Sequence, residues 1–189
     1  VARLNDFQPV MLGGYPTALE LLIDEQKSGR LQIEPVIIMT GGEYLSDNLR
    51  KQLAETFNCY VQTNYSCTEG GTIACECREG HFHINEDWVI VEAVDEQNNA
   101  VPYGQLAHKL LLTNLFNYTQ PFLRYELTDR AILHNEPCPC GKNTMWVEIE
   151  GRTDDILTFE HGKKIAPLSL YALLKEVHSI KRFQLIQHN

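Results

Sequence analysis

The sequence predicts an α/β fold in three parts. A strand–helix α/β unit covers residues 1–75, a β-rich subdomain covers 76–150, and a small α+β domain opens at 151–189. Three observations predict it. Residues 9–63 alternate helix-period and strand-like pieces joined by short connections, which is how a parallel α/β unit reads. Residues 82–150 hold short apolar runs separated by Pro/Gly-rich turns, as expected of antiparallel strands. From Gly151 the pattern changes again.

The elements follow in order. T-A-L-E-L-L-I-D-E-Q-K-S-G (Thr17–Gly29) places Leu19, Leu22 and Ile23 on one helical face, with Gly29 as the C-terminal stop. P-V-I-I-M-T (Pro35–Thr40) is a short continuous apolar run, the signature of a buried strand. Ser46 can N-cap the next helix, whose inner face is Leu49, Leu53 and Phe57. C-Y-V-Q-T (Cys59–Thr63) is a further strand. W-V-I-V-E-A-V (Trp88–Val94) and H-K-L-L-L-T (His108–Thr113) are strands that flank a D-E-Q-N-N turn region, and Trp88 and Trp146 are expected in the core. I-L-T-F, an H-G-K-K turn, a helix near Leu168–Val177 and a last strand R-F-Q-L-I-Q complete the chain. The sequence begins at Val1 without Met and ends on that apparent strand, which is expected of a piece of a longer protein.

Composition narrows the function classes. The apolar fraction of 43% over 189 residues permits a true core. The net charge of −9, with no Lys/Arg-rich run, argues against a nucleic-acid groove or an anionic membrane surface as partner. No apolar run reaches the length of a membrane span and no signal-peptide pattern opens the sequence, so a cytoplasmic location is expected.

The octet N-Y-S-C-T-E-G-G (Asn64–Gly71) is rich in groups that handle nucleotides and sits just past a strand. In open α/β sheets ligands bind outside the carboxyl ends of strands. A Tyr offers a flat face to a base, a Thr hydroxyl reaches a phosphate oxygen, a Glu carboxylate suits Mg²⁺, and glycines admit backbone close to a ligand. Alone, the octet reads equally well as a polar loop closing a strand. T-G-G-E (Thr40–Glu43) also follows a strand and precedes a helix, so it could form a second wall of the same site. R-Y-E-L-T-D (Arg124–Asp129) carries an Asp able to accept from both ribose hydroxyls. E-G-R-T-D-D-I-L (Glu150–Leu157) puts an Arg at a domain junction.

The order of these segments resembles the adenylate-forming superfamily of acyl-CoA ligases and luciferases, and more narrowly the phenylacetate–CoA ligase branch. The narrower resemblance rests on G-Y-P-T-A-L-E-L-L, C-R-E-G-H-F-H-I-N-E-D-W-V-I-V-E, L-L-T-N-L-F-N-Y-T-Q-P-F-L-R-Y and C-P-C-G, which span nearly the whole chain. The resemblance implies that Thr68 and Glu69 contact phosphate and Mg²⁺. Asn64 and Tyr65 would belong to the nucleotide site, Tyr65 packing on adenine, with Gly41, Gly42 and Glu43 as the opposite wall. Asp129 would hold the ribose, Arg152 would reach ribose or phosphate, and Asp154 would be the hinge of the C-terminal domain. ATP would activate a carboxylic acid, with AMP and pyrophosphate as products and CoA as the acyl acceptor. Tyr15 would line the acyl pocket. Two positions depart from the superfamily pattern: Thr128 precedes Asp129 where Gly is usual, and Ser66 follows Tyr65 where Gly is usual. A Gly/Ser/Thr-rich phosphate loop and a C-terminal Gly-Lys segment are absent from these 189 residues, so the piece alone is expected to be a poor enzyme.

The six cysteines include two C-x-C pairs. C-P-C-G at Cys138–Gly141 resembles half of a zinc knuckle, and Cys77 with His83 supplies a second half. A Cys₃His set of Cys77, His83, Cys138 and Cys140 would be a closed structural zinc site. Cys75 could replace Cys77, and free thiols are the alternative for all of them. Cys67 reads as a small packing residue. His81, His108, His134, His161, His178 and His188 have no motif context.

Two functions of different classes follow. One is the central and hinge part of an ATP-dependent acid–CoA ligase, a homodimer being the assembly considered. The other is a zinc-stabilised interaction module that kept the fold without the catalysis. G-G-E-Y also matches a cyclic-dinucleotide synthase signature, but that motif belongs on a hairpin and here it lies between a strand and a Ser-capped helix.

Overall fold

The computed structural model describes residues 1–153 and, beyond them, 157–159, 164–165, 170–171, 173–174, 177, 180, 183 and 185–187. The chain divides into two compact units, Val1–Ser66 and Cys67–Asn189.

The first unit contains α1 (Ala2–Phe7), β1 (Met11–Gly14), α2 (Pro16–Lys27), β2 (Ile37–Gly41), α3 (Asp47–Phe57) and β3 (Tyr60–Cys67). β1, β2 and β3 are parallel, with Met11 opposite Ile37 and Ile37 opposite Tyr60. The helices bury the residues their spacing predicts: Leu19 and Ile23 from α2, and Leu49, Leu53 and Phe57 from α3. These pack with Leu31, Ile33, Ile38 and Val61 into one core, and Leu22 joins it partly buried. The Ser46 hydroxyl accepts from the Leu49 N–H at 3.2 Å, the expected N-cap. α2 begins with Pro16 at its first position and ends at Lys27, with Gly29 following at φ +75°. The elements α1 and β1 carry too little periodicity to be read from sequence. β3 is longer than expected: Asn64–Cys67 continue the strand, with Asn64 opposite Gly41, so only Thr68–Gly70 form the turn.

The second unit is β-rich and antiparallel. β4 (Gly71–Glu76), β5 (Phe82–Ile84), β10 (Trp146–Arg152) and β9 (Asp129–His134) lie side by side in that order. β6 (Val89–Val94), β7 (Lys109–Asn114) and β8 (Tyr125–Leu127) form a separate three-stranded sheet. β7 is its middle strand and buries Leu110, Leu111 and Leu112 in succession, so apolar contacts cover both of its faces. The turn after β6 is held by Asp95, whose carboxylate accepts from the N–H groups of Gln97 and Asn99 at 2.9 and 2.8 Å.

Later residues fit the sequence reading in part. β11 (Leu157–Thr158) and β12 (Lys164–Ile165) pair antiparallel, and Leu170, Tyr171, Leu173 and Leu174 are helical. The expected last strand does not form at Phe183 or at 185–187; Gln187 instead uses its side-chain amide to bond the backbone of Thr158. Asp154 and the following Asp155 and Ile156, where the hinge was expected, lie outside the described residues. Trp88 is 55% exposed rather than core; it precedes β6 and stands edge-on to Phe116. Among the described residues no helix is long and apolar enough to cross a membrane.

Candidate functional site

In the first unit, Thr40–Glu43 and Asn64–Tyr65 lie at the carboxyl ends of neighbouring parallel strands. Gly42 sits at φ +75°, and a Cβ there would come 2.7 Å from Cε1 of Tyr15, so glycine is required on both counts. Glu43 has a task that its motif did not reveal. Its carboxylate accepts from the Thr17 N–H at 3.1 Å and the Thr17 hydroxyl at 3.0 Å, capping the start of α2. Asn64 Oδ1 and Thr40 Oγ1 are buried and have no hydrogen-bond partner among the described residues. A shallow groove lined by Pro35, Val36, Asn58 and Tyr60 is at the opposite, amino ends of β2 and β3.

In the second unit the Thr68–Gly70 turn exposes Thr68 and is tied down around it. The Cys67 thiol accepts from the Gly70 N–H at 3.2 Å, and burial pushes that thiol's pKa up, as a packing residue requires. A Cβ on Gly70 would lie 2.6 Å from Cδ2 of Leu112, a fully buried side chain. Asn114 donates its side-chain N–H to the Glu69 carbonyl at 3.0 Å, and its Oδ1 accepts from the N–H groups of Phe116 and Asn117. The Tyr125 hydroxyl donates to Glu69 Oε1 at 2.8 Å. That bond holds the Glu69 carboxyl below its usual range, and the same carboxylate pushes the Tyr125 phenol up. Asp129 and Arg152 are direct partners in the β9–β10 register, beside a bulge between Ile149 and Gly151. The Thr128 carbonyl accepts from both the N–H and the hydroxyl of Thr153, at 2.7 and 3.0 Å.

The four cysteine and histidine residues singled out by spacing also come together. One ligand atom from each of Cys77, His83, Cys138 and Cys140 lies within 4.8 Å of all the others. Cys77 Sγ and Cys138 Sγ are 3.8 Å apart, and Cys140 Sγ is 3.3 Å from His83 Nε2. In a tetrahedral zinc site two sulfurs stand about 3.8 Å apart and a sulfur and a nitrogen about 3.5 Å, given metal–ligand bonds of about 2.3 and 2.0 Å. Burial lowers the pKa of His83, which favours its neutral ring. The backbone N–H of Lys142 lowers that of Cys140, whereas burial pushes the Cys138 thiol up to about 11. Cys75 is outside the cluster; its sulfur is 3.9 Å from Asn85 Nδ2.

Sequence reasoning missed three contributors. Tyr125 and Asn114 hold Glu69, although they lie within R-Y-E-L-T-D and L-L-T-N-L-F-N-Y. His81, set aside for want of a motif, places Nδ1 3.2 Å from Cys138 Sγ. Trp146 is stacked between His81 and His134, with ring centroids 3.9 and 3.7 Å away.

No protein-family model matches the chain. Protein CapK of Staphylococcus aureus is 26% identical over 184 residues, which is 95% of this chain and 39% of CapK. Among solved structures, a 2-hydroxyisobutyryl-CoA ligase in complex with an acyl-AMP superposes with a TM-score of 0.78 at 21% identity, covering 94% of this chain and 40% of that one. The anthranilate CoA ligase AuaEII in complex with anthranoyl-AMP gives 0.69 at 16% identity, over 94% and 36%. The chain therefore spans about two fifths of the length of the proteins it resembles, and over that span it has the mixed α/β fold of the adenylate-forming ligases.

Proposed function

We propose that the chain is part of an ATP-dependent acid–CoA ligase of the phenylacetate–CoA ligase kind. The carboxylate oxygen of the acid attacks the α-phosphorus of ATP, and the bond to pyrophosphate breaks. CoA thiol then displaces AMP from the acyl-adenylate. The observation that carries this reading is Glu69, an ionised carboxylate held by Tyr125 at the turn after β3, within a fold shared with CoA ligases.

The roles are assigned residue by residue. Glu69 holds Mg²⁺, a hard cation that takes carboxylate oxygen, and Thr68 gives its exposed hydroxyl to a phosphate oxygen. The ion supplies charge neutralisation at the phosphates. Tyr65 packs on adenine. The orphaned Asn64 Oδ1 suits a base amino group as donor, which would relieve an unsatisfied buried acceptor. Gly41 and Gly42 form the opposite wall, Gly42 with the Tyr15 ring packed against it, while Glu43 fixes that turn on α2. Asp129 takes the ribose hydroxyls, and Arg152, its strand partner, takes ribose or phosphate. Asp154 is the hinge. Cys77, His83, Cys138 and Cys140 fit zinc in a closed structural site, with His83 Nδ1 anchored 3.0 Å from Thr144 Oγ1. A cytoplasmic location, where ATP and CoA are both present, belongs to the same proposal.

A panel of alkyl and aryl carboxylic acids, assayed for pyrophosphate release by the full-length protein with ATP, Mg²⁺ and CoA, tests the reading. At least one acid should drive release and yield its CoA thioester; release without any thioester would replace CoA by another acceptor.

A further inference from the structure

We propose that Tyr125 is a positioning residue for Glu69: its hydroxyl holds one carboxylate oxygen so that the other is presented in a fixed direction to Mg²⁺. This rests on the ligase reading above. The starting point is the 2.8 Å bond from the Tyr125 hydroxyl to Glu69 Oε1. A carboxylate on a turn would otherwise sample several rotamers, and ordering it on metal binding would cost affinity.

The surroundings are built to keep that bond. β7 fixes the turn that carries Glu69, through Asn114 on the Glu69 carbonyl and Leu112 beneath Gly70. Leu112 is the register partner of Tyr125 in the β7–β8 pair, so the two side chains emerge on the same face, one under the turn and one on its carboxylate. Arg124, immediately before Tyr125, has φ +49°, a left-handed conformation rare for a residue with a long side chain. Such strain persists only where neighbours impose it. Here the Thr113 hydroxyl accepts the Arg124 N–H at 3.0 Å, and Arg124 Nε donates to Glu92 at 3.0 Å. The left-handed residue turns the chain into β8 and sets the direction of Tyr125. The shifts of the two partners are consistent: the carboxyl stays ionised and the phenol stays protonated, so the donor and acceptor keep their roles through neutral pH.

A packing role alone would use only the ring, which stands edge-on to Phe122 with centroids 5.3 Å apart. Tyr125→Phe retains that contact and removes the hydroxyl. In the full-length protein, Tyr125→Phe should raise the half-saturating Mg²⁺ concentration and the calorimetric Kd for MgATP by about tenfold, the size of one charge-assisted hydrogen bond. kcat at saturating Mg²⁺ should change less than about threefold, and Tm should not move. Thr113→Val should act in the same direction and Thr113→Ser should restore it. Unchanged Mg²⁺ and MgATP requirements in Tyr125→Phe, beside loss of activity in Glu69→Gln, would leave Tyr125 with packing only and overturn the proposal. Wild-type behaviour in Glu69→Gln would instead bring down the ligase role of Glu69, and this inference with it.

Discussion

At the scale of single residues, the polar groups of the proposed site stand on tightly packed supports. Gly70 is the clearest case, because a methyl group there would press on the wholly buried Leu112. Gly70→Ala should destabilise the protein by about 1–3 kcal/mol, the usual cost of overpacking. Urea unfolding measures it, and a change under about 0.5 kcal/mol would mean that β7 yields. Asp129, the proposed ribose ligand, stands opposite Arg152 in the β9–β10 register. Asp129→Ala in the full-length protein should sharply raise the ATP requirement with the fold intact, by about 1.5–3 kcal/mol per charged bond lost; unchanged nucleotide affinity would put the ribose elsewhere. Thr68, Glu69 and Asp129 are proposed on residue type and motif order, which sequence alone can supply. Tyr125 could not be found that way, since its contact depends on the β7–β8 register and on a left-handed Arg124. His81 was invisible for a similar reason: the β4–β5 turn, not a motif, brings it to Cys138.

At the scale of elements, periodicity gave α2 and α3 down to their inward faces and the Ser46 cap, because amphipathic helices state their burial in their spacing. It failed at β3, where Asn64–Cys67 read as a loop by composition yet extend the strand because Asn64 pairs with Gly41. It failed again at the last apparent strand, where an apolar run alone does not guarantee a pairing partner. The Cys/His cluster is assembled from elements far apart in sequence. Cys77 and His83 bracket the turn into β5, Cys138 and Cys140 come from the turn after β9, and the β5–β10 pairing places Trp146 opposite His83. One zinc per chain is the predicted content of protein purified without chelator, as read by metal analysis. Its removal should lower Tm, since metal binding in such sites contributes directly to folding. A stoichiometry near zero, with all thiols freely titratable in the folded state, would leave these four as free thiols.

At the scale of the whole molecule, the fold class was legible from three successive patterns along the chain, and the order of motifs carried the resemblance further than any one motif could. Just before the proposed hinge, β10 bulges between Ile149 and Gly151, and Gly151 takes φ +143°. If Asp154 is the pivot, Asp154→Pro, which fixes φ near −65° and removes an N–H, should spare adenylation and depress thioester formation much further. Equal effects on both half-reactions, measured side by side, would deny it that role. The central claim is that the Glu69 turn serves carboxylate adenylation. Its most direct test is acid-dependent exchange of labelled pyrophosphate into ATP by the full-length protein without CoA, compared with Glu69→Gln. The account predicts exchange with at least one carboxylic acid and its loss in the variant. Absence of exchange across the panel, in protein shown to be folded, would contradict it and leave the reading of a non-catalytic scaffold.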